Sequence, residues 1–266
     1  MSACRSCPDS RAASGEAGRL VQLVTGRELT IALAGNPNTG KSTIFNHLTG
    51  LNQHTGNWPG KTVTRAEGTF RHDGKRYRLV DLPGTYSLLA DSTDEEVARD
   101  YVLFDRPDCT VIVCDATVLE RNLFLVLQIL EITSRAVVCV NLIDEAQRKG
   151  IETDAGALER ELGAPVVLTA ARRGKGIDRL KDVIADVAGG RRVADPSEVA
   201  LDPRVEAAAE ELIAQFSTSL PNLPCPRWVA LRLLDGDERV ERALAGGEFD
   251  SLFGVTDEAQ TAGATA

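Results

Sequence analysis

Long apolar runs are missing from this 266-residue chain. The longest, at residues 111–114 and 136–140, are strand-sized, well short of the roughly 20 residues that cross a bilayer. The opening ten residues, MSACRSCPDS, contain no apolar core and so no export signal. Basic charge is scarce as well. Lys+Arg 30 against Asp+Glu 39 leaves a net −9, which argues against nucleic acid as the main partner, because binding phosphates over a wide face takes a basic surface. A soluble, cytosolic chain is expected.

A disulfide framework is also lacking, although the chain has six cysteines. Cys109, Cys114 and Cys139 sit in or beside the apolar runs DCTVIVCDA and AVVCVNL and read as small buried hydrophobes. Cys4 and Cys7 form a C-x-x-C pair, half of a tetrahedral zinc site, and no second pair with matching spacing follows. Cys225 is isolated in LPNLPCP. No internal repeat is present.

What is there is an alternation. LTIALAG is a short apolar run ending in Gly, followed by NPNTG and then by the helix-like KSTIFNHLTG, which stops at Gly50. The stretch LNQHTGNWPGKT is polar and reads as an irregular loop. TVTRAEGTF and KRYRLVDL flank Asp73-Gly74, a hairpin signal. CTVIVCD, AVVCVNL and PVVLTA are strands. NLFLVLQIL is a helix, with Leu123, Leu127 and Leu130 expected on one face. DAGALEREL and GIDRLKDVIADVA are helices, the latter with Ile177, Leu180, Ile184 and Val187 in step. β-then-α with one hairpin predicts a mostly parallel sheet covered on both faces. The alternation ends near Gly189-Gly190. Beyond it, Asp202-Pro203 opens a helix, and RWVALRLLD and ERVERALAG predict two more, the last closed by Gly246-Gly247. The expected division is a flexible tail over 1–26, an α/β domain over 27–190, an all-helical coupling subdomain over 197–255 and a second tail over 256–266.

Three segments carry chemistry. Gly35-Asn36-Pro37-Asn38-Thr39-Gly40-Lys41-Ser42 fits G-x-x-x-x-G-K-[ST] between a strand and a helix. Such a loop turns backbone N–H groups around phosphate, and the helix N-terminus adds positive potential. Lys41 would span the β- and γ-phosphates and the Ser42 hydroxyl would bind Mg²⁺. That motif alone does not separate ATP from GTP. Asp81-Leu82-Pro83-Gly84 closes a strand, which lets Asp81 reach the metal through water and the Gly84 N–H meet the γ-phosphate. Asn141-Leu142-Ile143-Asp144 closes another and fits N-x-x-D, whose carboxylate accepts from guanine N1–H and the exocyclic amine, a donor pair that adenine lacks. Taken singly, Asp144 also reads as a helix cap.

In this order the motifs resemble the TRAFAC-class GTPases over residues 28 to about 190. More narrowly, GNPNTGKST, TGNWPGKTV and DLPGTYSL resemble the cytosolic domain of the ferrous iron transport family FeoB, and RWVALRLLDGD resembles its second cytosolic subdomain. The resemblance implies a Ras-like domain that hydrolyses GTP to GDP, with a small helical subdomain. It implies nucleotide contacts from residues 35–43, from Gly60, Lys61 and Thr62, from Asp81 and Gly84, from Asn141, Leu142 and Asp144, and from Ala170 and Ala171, Thr43 being the last of the phosphate loop. Thr62 would complete Mg²⁺ coordination beside Ser42 and Asp81, although alone it reads as a strand-edge residue. Asn38 matches a potassium ligand, helped by backbone around residues 56–58, and otherwise reads as a turn former. An Ala171 N–H would face guanine O6. Asn38, Lys41, Thr62 and Gly84 are thereby the expected catalytic group. The partners implied are GTP, a membrane-embedded permease region, small accessory Feo proteins and further copies of the chain, at the cytoplasmic side of the bacterial inner membrane.

Two departures follow from the letters. Leu142 stands where many GTPases carry Lys, which shortens the aliphatic stem over the base. Thr85 follows DLPG where a water-orienting Gln is common, so basal hydrolysis is expected to be slow, with a potassium ion near Asn38 neutralising charge. Two other readings stand beside this one: a soluble GTPase of ribosome assembly or RNA modification, which would ordinarily add a basic RNA-binding domain, and a nucleotide switch that scarcely hydrolyses.

Overall fold

The computed structural model describes residues 27–51, 53–89, 92–196, 200–220, 223 and 225–249. Both expected tails, with Cys4 and Cys7, lie outside them.

Seven strands form one sheet in the order β2-β3-β4-β1-β5-β6-β7. They are β1 Leu29–Gly35, β2 Gln53–Asn57, β3 Thr64–His72, β4 Lys75–Asp81, β5 Cys109–Asp115, β6 Ala136–Asn141 and β7 Val166–Leu168. The β4-β1-β5-β6-β7 part is parallel, and β2, β3 and β4 pair antiparallel. Asp73 and Gly74 both take positive φ (46° and 73°), the backbone that a two-residue hairpin demands.

Strand alternation divides the core in two. Ile31 and Leu33 of β1, with Val111 and Val113 of β5, face Ile44, Phe45 and Leu48 of α1 (Lys41–Thr49) and Leu180 and Ile184 of α6 (Ile177–Ala188). Ala32 and Ala34, with Ile112 and Cys114, face the other layer, formed by α2 (Thr93–Asp100), α3 (Leu119–Ile132) and the C-terminal helices. The expected mostly parallel, doubly covered sheet is present. Short helices α4 (Ile143–Arg148) and α5 (Ala155–Leu162) complete this part, and α7 (Pro203–Ser219), α8 (Pro226–Leu234) and α9 (Glu238–Ala245) form the helical appendage.

Two expectations are corrected here. The stretch after Gly50 is not irregular throughout: residues 53–57 add an edge strand to β3, a pairing that backbone hydrogen bonds supply without any apolar pattern. In α3 the buried face carries Leu125, Val126, Ile129 and Leu130, while Leu127 is exposed. The helix is apolar on more than one side, so spacing alone does not fix its rotation.

No apolar periodicity announces α2, which is capped by the Ser92 hydroxyl accepting from the Glu95 N–H at 3.3 Å, or the π-helical turn Tyr101–Asp105 that continues it. This segment ties the two parts of the chain together. Arg99, fully buried, donates from Nη1 to Asp237 Oδ2 at 2.8 Å, and its Nε lies 3.3 Å from Asp100 Oδ1. Asp100 accepts in turn from Arg239 Nε at 3.1 Å, and Asp237 also caps α9. The Arg239 guanidinium sits 4.8 Å from the Phe104 ring centroid. Removing one partner of a buried ion pair leaves the other charge stranded, at roughly 3–5 kcal/mol. Arg99→Ala is therefore expected to lower stability by about that amount in urea unfolding, with Trp228 fluorescence in α8 as the probe. A change under about 1 kcal/mol would show that the pair does not hold the subdomain.

Candidate nucleotide site

The phosphate loop follows β1 directly. Its shape depends on residues without side chains. A Cβ on Gly35 would stand 2.5 Å from the Val113 carbonyl oxygen, and one on Gly40 would stand 2.3 Å from Asn141 Nδ2. Gly40 also has φ +85°, open to glycine and costly for other residues. Asn38 adopts φ 66°, left-handed and exposed, as Asn tolerates. The first turn of α1 carries no acidic residue and no side-chain cap; the Thr43 N–H donates to the Gly40 carbonyl, which leaves the N–H groups of Lys41 and Ser42 for an anion. Lys41, Ser42 and Thr43 occupy that turn, and Ser42 is exposed. A glycine-built cradle, an uncapped helix start and an ammonium group fit a polyphosphate.

Lys41 Nζ donates to Asp81 Oδ1 at 2.5 Å and to the Leu82 carbonyl at 2.6 Å. Burial pushes the Asp81 carboxyl up, outweighing the opposing pull of Lys41 beside it. Lys41 and Asp81 are thus already joined, and reaching a phosphate or a metal means loosening that pair. Gly84 lies against Pro37, and the Thr85 N–H donates to the Gly35 carbonyl at 3.3 Å. Thr85 is buried, which removes its side chain from any role in orienting a solvent molecule.

Asn141 is the knot between loops. Its Nδ2 donates to the Thr39 carbonyl at 2.9 Å, and its Oδ1 accepts from Thr169 Oγ1 and from the Ala171 N–H, each at 3.0 Å. Here the structure departs from expectation: the Ala171 N–H, expected to face guanine O6, is directed to Asn141. Ala170 and Ala171 are both buried. Leu142 takes φ 62°, a strained conformation for a bulky residue and one that turns the chain sharply into α4. Asp144, two residues later, pairs through Oδ2 with Arg173 Nε at 3.2 Å. Arg173 carries no signal in the sequence, because an arginine in ARRG reads as a solvated side chain.

Gly60, Lys61 and Thr62 are tied elsewhere. The Trp58 N–H donates to the Val63 carbonyl and the Trp58 carbonyl accepts from the Lys61 N–H, closing a loop on which Thr62 is exposed. Trp58 is buried edge-on against Tyr101 at 5.2 Å, under the Arg65 guanidinium at 4.6 Å, and Lys61 Nζ pairs with Glu96 Oε2 at 2.7 Å. Residues 56 and 57 belong to the β2 ladder. The structure thus bonds residues 35–41 to 81–85 and 141–171, and anchors the Thr62 loop to α2 and its π-helical extension.

Loops leaving β1, β4 and β6 meet at the carboxyl edge of the sheet, where open α/β folds bind ligands. An architecture of this kind, with an N-x-x-D segment wired to the phosphate loop, is that of the P-loop GTP-binding proteins. The family model described as ferrous iron transport protein B matches residues 29–184, and the model of the FeoB cytosolic helical domain matches residues 202–262. The chain belongs to the FeoB family.

The Fe(2+) transporter FeoB of Salmonella typhimurium is 41% identical over 235 residues, covering 85% of this chain and 29% of that protein. The crystal structure of the cytosolic domain of the T. maritima FeoB iron transporter in a GDP form superposes with a TM-score of 0.76 at 36% identity, covering 83% of this chain and 86% of that one. Its GMPPNP form gives a TM-score of 0.76 at 37% identity, with 82% and 85% covered. The chain thus spans less than a third of the length of the transporter it matches. No helix among the described residues is long and apolar enough to cross a membrane.

Proposed function

We propose that this chain is the GTP-hydrolysing cytosolic part of a ferrous iron transporter, acting on a membrane-embedded permease region at the cytoplasmic face of the bacterial inner membrane. What carries the reading is the Asn141 knot, which sets the phosphate loop and the base loop at a fixed spacing, together with a FeoB relative whose solved forms hold GDP and GMPPNP. Small accessory Feo proteins and further copies of the chain are the remaining proposed partners, and nucleic acid is not one of them.

Residues 35–43 take the triphosphate. Lys41 exchanges the Asp81 carboxylate for β- and γ-phosphate oxygens, which releases Asp81 to act with Ser42 and Thr62 on Mg²⁺. Gly84 presents its N–H to the γ-phosphate. Asn141, Leu142, Asp144, Ala170 and Ala171 form the guanine side, with Asp144 as the carboxylate that accepts from N1–H and the exocyclic amine. When bound, Mg²⁺ held by Ser42, Thr62 and Asp81 and a potassium ion held by Asn38 would neutralise phosphate charge while water attacks the γ-phosphorus and GDP leaves. With Thr85 buried and no amide to orient that water, hydrolysis is slow without the monovalent ion. Gly60 and Lys61 position Thr62, so the Lys61–Glu96 pair and the packing of Trp58 set how readily the loop changes place.

Asp144→Asn is expected to weaken GTP binding by about 2–3 kcal/mol, the worth of a charge-assisted hydrogen bond in a partly buried site. Equally tight binding of ATP and GTP by the parent chain would contradict the base assignment. Hydrolysis at saturating GTP and Mg²⁺ is expected to run faster in potassium than in sodium, and Asn38→Ala should erase that difference while GTP still binds. Equal parent rates in the two salts would remove the potassium site.

A further inference from the structure

A second basic recess lies at the opposite edge of the sheet from the phosphate loop. It is a cavity of about 540 Å³ bounded by Arg27, Arg106, Asp108, Ser134, Arg135 and Cys225. Arg27 precedes β1 and Asp108 precedes β5, so both stand at the amino ends of strands whose carboxyl ends carry the nucleotide loops. The seven residues of β1, at ~3.3 Å each, put the two sites about 20 Å apart.

Charge sets the recess apart from the rest of this acidic chain. Three arginines and one carboxylate line it, in a chain of net −9. Asp108 is buried, accepts from the Thr30 N–H at 2.8 Å, and has Arg27 Nη2 at 3.3 Å and Arg135 Nη1 at 3.8 Å. Burial pushes the Cys225 thiol up to about 12, against the pull of Arg106, so it stays neutral and adds no competing anion. Val102 and Ile132, both buried, form part of the lining.

Backbone strain marks the same place. Arg106 has φ 47° and Cys225 has φ 38°, the left-handed region that side-chain-bearing residues avoid. Asn38 and Leu142, with the same property, serve the nucleotide loops. Arg106 ends the π-helical turn that continues α2, Ser134 and Arg135 follow α3, and Cys225 leads into α8. The recess therefore sits where the α/β part meets the helical part. Guanidinium forks match phosphoryl oxygens, two N–H groups to a pair of oxygens.

We propose that this recess binds a small phosphate-type oxyanion, held by Arg27, Arg106 and Arg135 and lodged between the α/β and helical parts. A free anion is favoured over a lipid headgroup because the buried floor is recessed between two parts of the protein. The site stands independently of the GTP reading.

The test uses the full chain saturated with GDP in Mg²⁺-free buffer, titrated calorimetrically with inorganic pyrophosphate. Saturable one-to-one binding is expected, weakened at least tenfold in Arg106→Gln and in Arg135→Gln and unchanged in a parallel titration of Lys75→Gln, an exposed cation of β4 outside the recess. Arg106→Gln leaves the Asp108 pairings of Arg27 and Arg135 in place, and thermal unfolding of each variant checks that it is folded. No saturable binding overturns the proposal. So does binding that the arginine variants leave intact and that rising GDP concentration displaces, which would place the anion in the phosphate loop. Sedimentation with phosphatidylglycerol vesicles is the other arm: co-sedimentation that Arg106→Gln abolishes, with no pyrophosphate binding, would overturn the free anion in favour of a headgroup.

Discussion

Arg99 is the most consequential side chain in the fold, because a fully buried guanidinium forces its surroundings to supply charge. The supply comes from two directions. Asp100 is its neighbour on the same helix, and Asp237 belongs to the helical subdomain, where it also caps α9. A rigid-body shift of the subdomain would therefore cost the Arg99–Asp237 ion pair, while the Asp237 cap on α9 would travel with it. Arg239 adds a second crossing to Asp100 and lies over Phe104. The same short segment, residues 93–105, holds the Thr62 loop through Lys61–Glu96 and Trp58–Tyr101. One element thus touches both the loop that would meet the γ-phosphate and the subdomain beyond it.

On the other side of the site the constraint is a single neutral amide. Asn141 uses Nδ2 on the phosphate loop and Oδ1 on the base loop. Gly40 has to be glycine because that amide occupies the space a Cβ would need. The phosphate loop and the base loop are therefore rigidly joined, whereas Lys41–Asp81, Asp144–Arg173 and Lys61–Glu96 are ion pairs at least partly open to water. Firm spacing with exchangeable charges suits a site whose occupant changes from triphosphate to diphosphate.

Much of this is readable in the letters. The Asp73-Gly74 hairpin, the parallel strands and the Gly40-Lys41-Ser42 helix start each follow from local chemistry that no distant interaction overrides. The edge strand at 53–57 is not readable, since polar residues on an edge pair through backbone alone. Nor is the buried face of α3, which is apolar most of the way round. Arg99 and Arg173 sit among other charged residues, and only the fold shows that one is buried and the other faces Asp144. Local motifs reveal loop chemistry well, whereas long-range ion pairs leave no spacing to find.

The Thr62 loop is anchored to the 93–105 segment through Trp58, and under the proposed function the γ-phosphate would release it. Trp58 emission measured in a Trp228→Phe background tests this directly, in the GDP complex and in the complex with a non-hydrolysable GTP analogue and Mg²⁺. Trp58 is only 7% exposed against Tyr101, so release is predicted to shift its emission to the red in the triphosphate-analogue complex relative to GDP. Identical spectra in the two complexes, with both nucleotides shown to be bound, would show that the γ-phosphate does not release the loop.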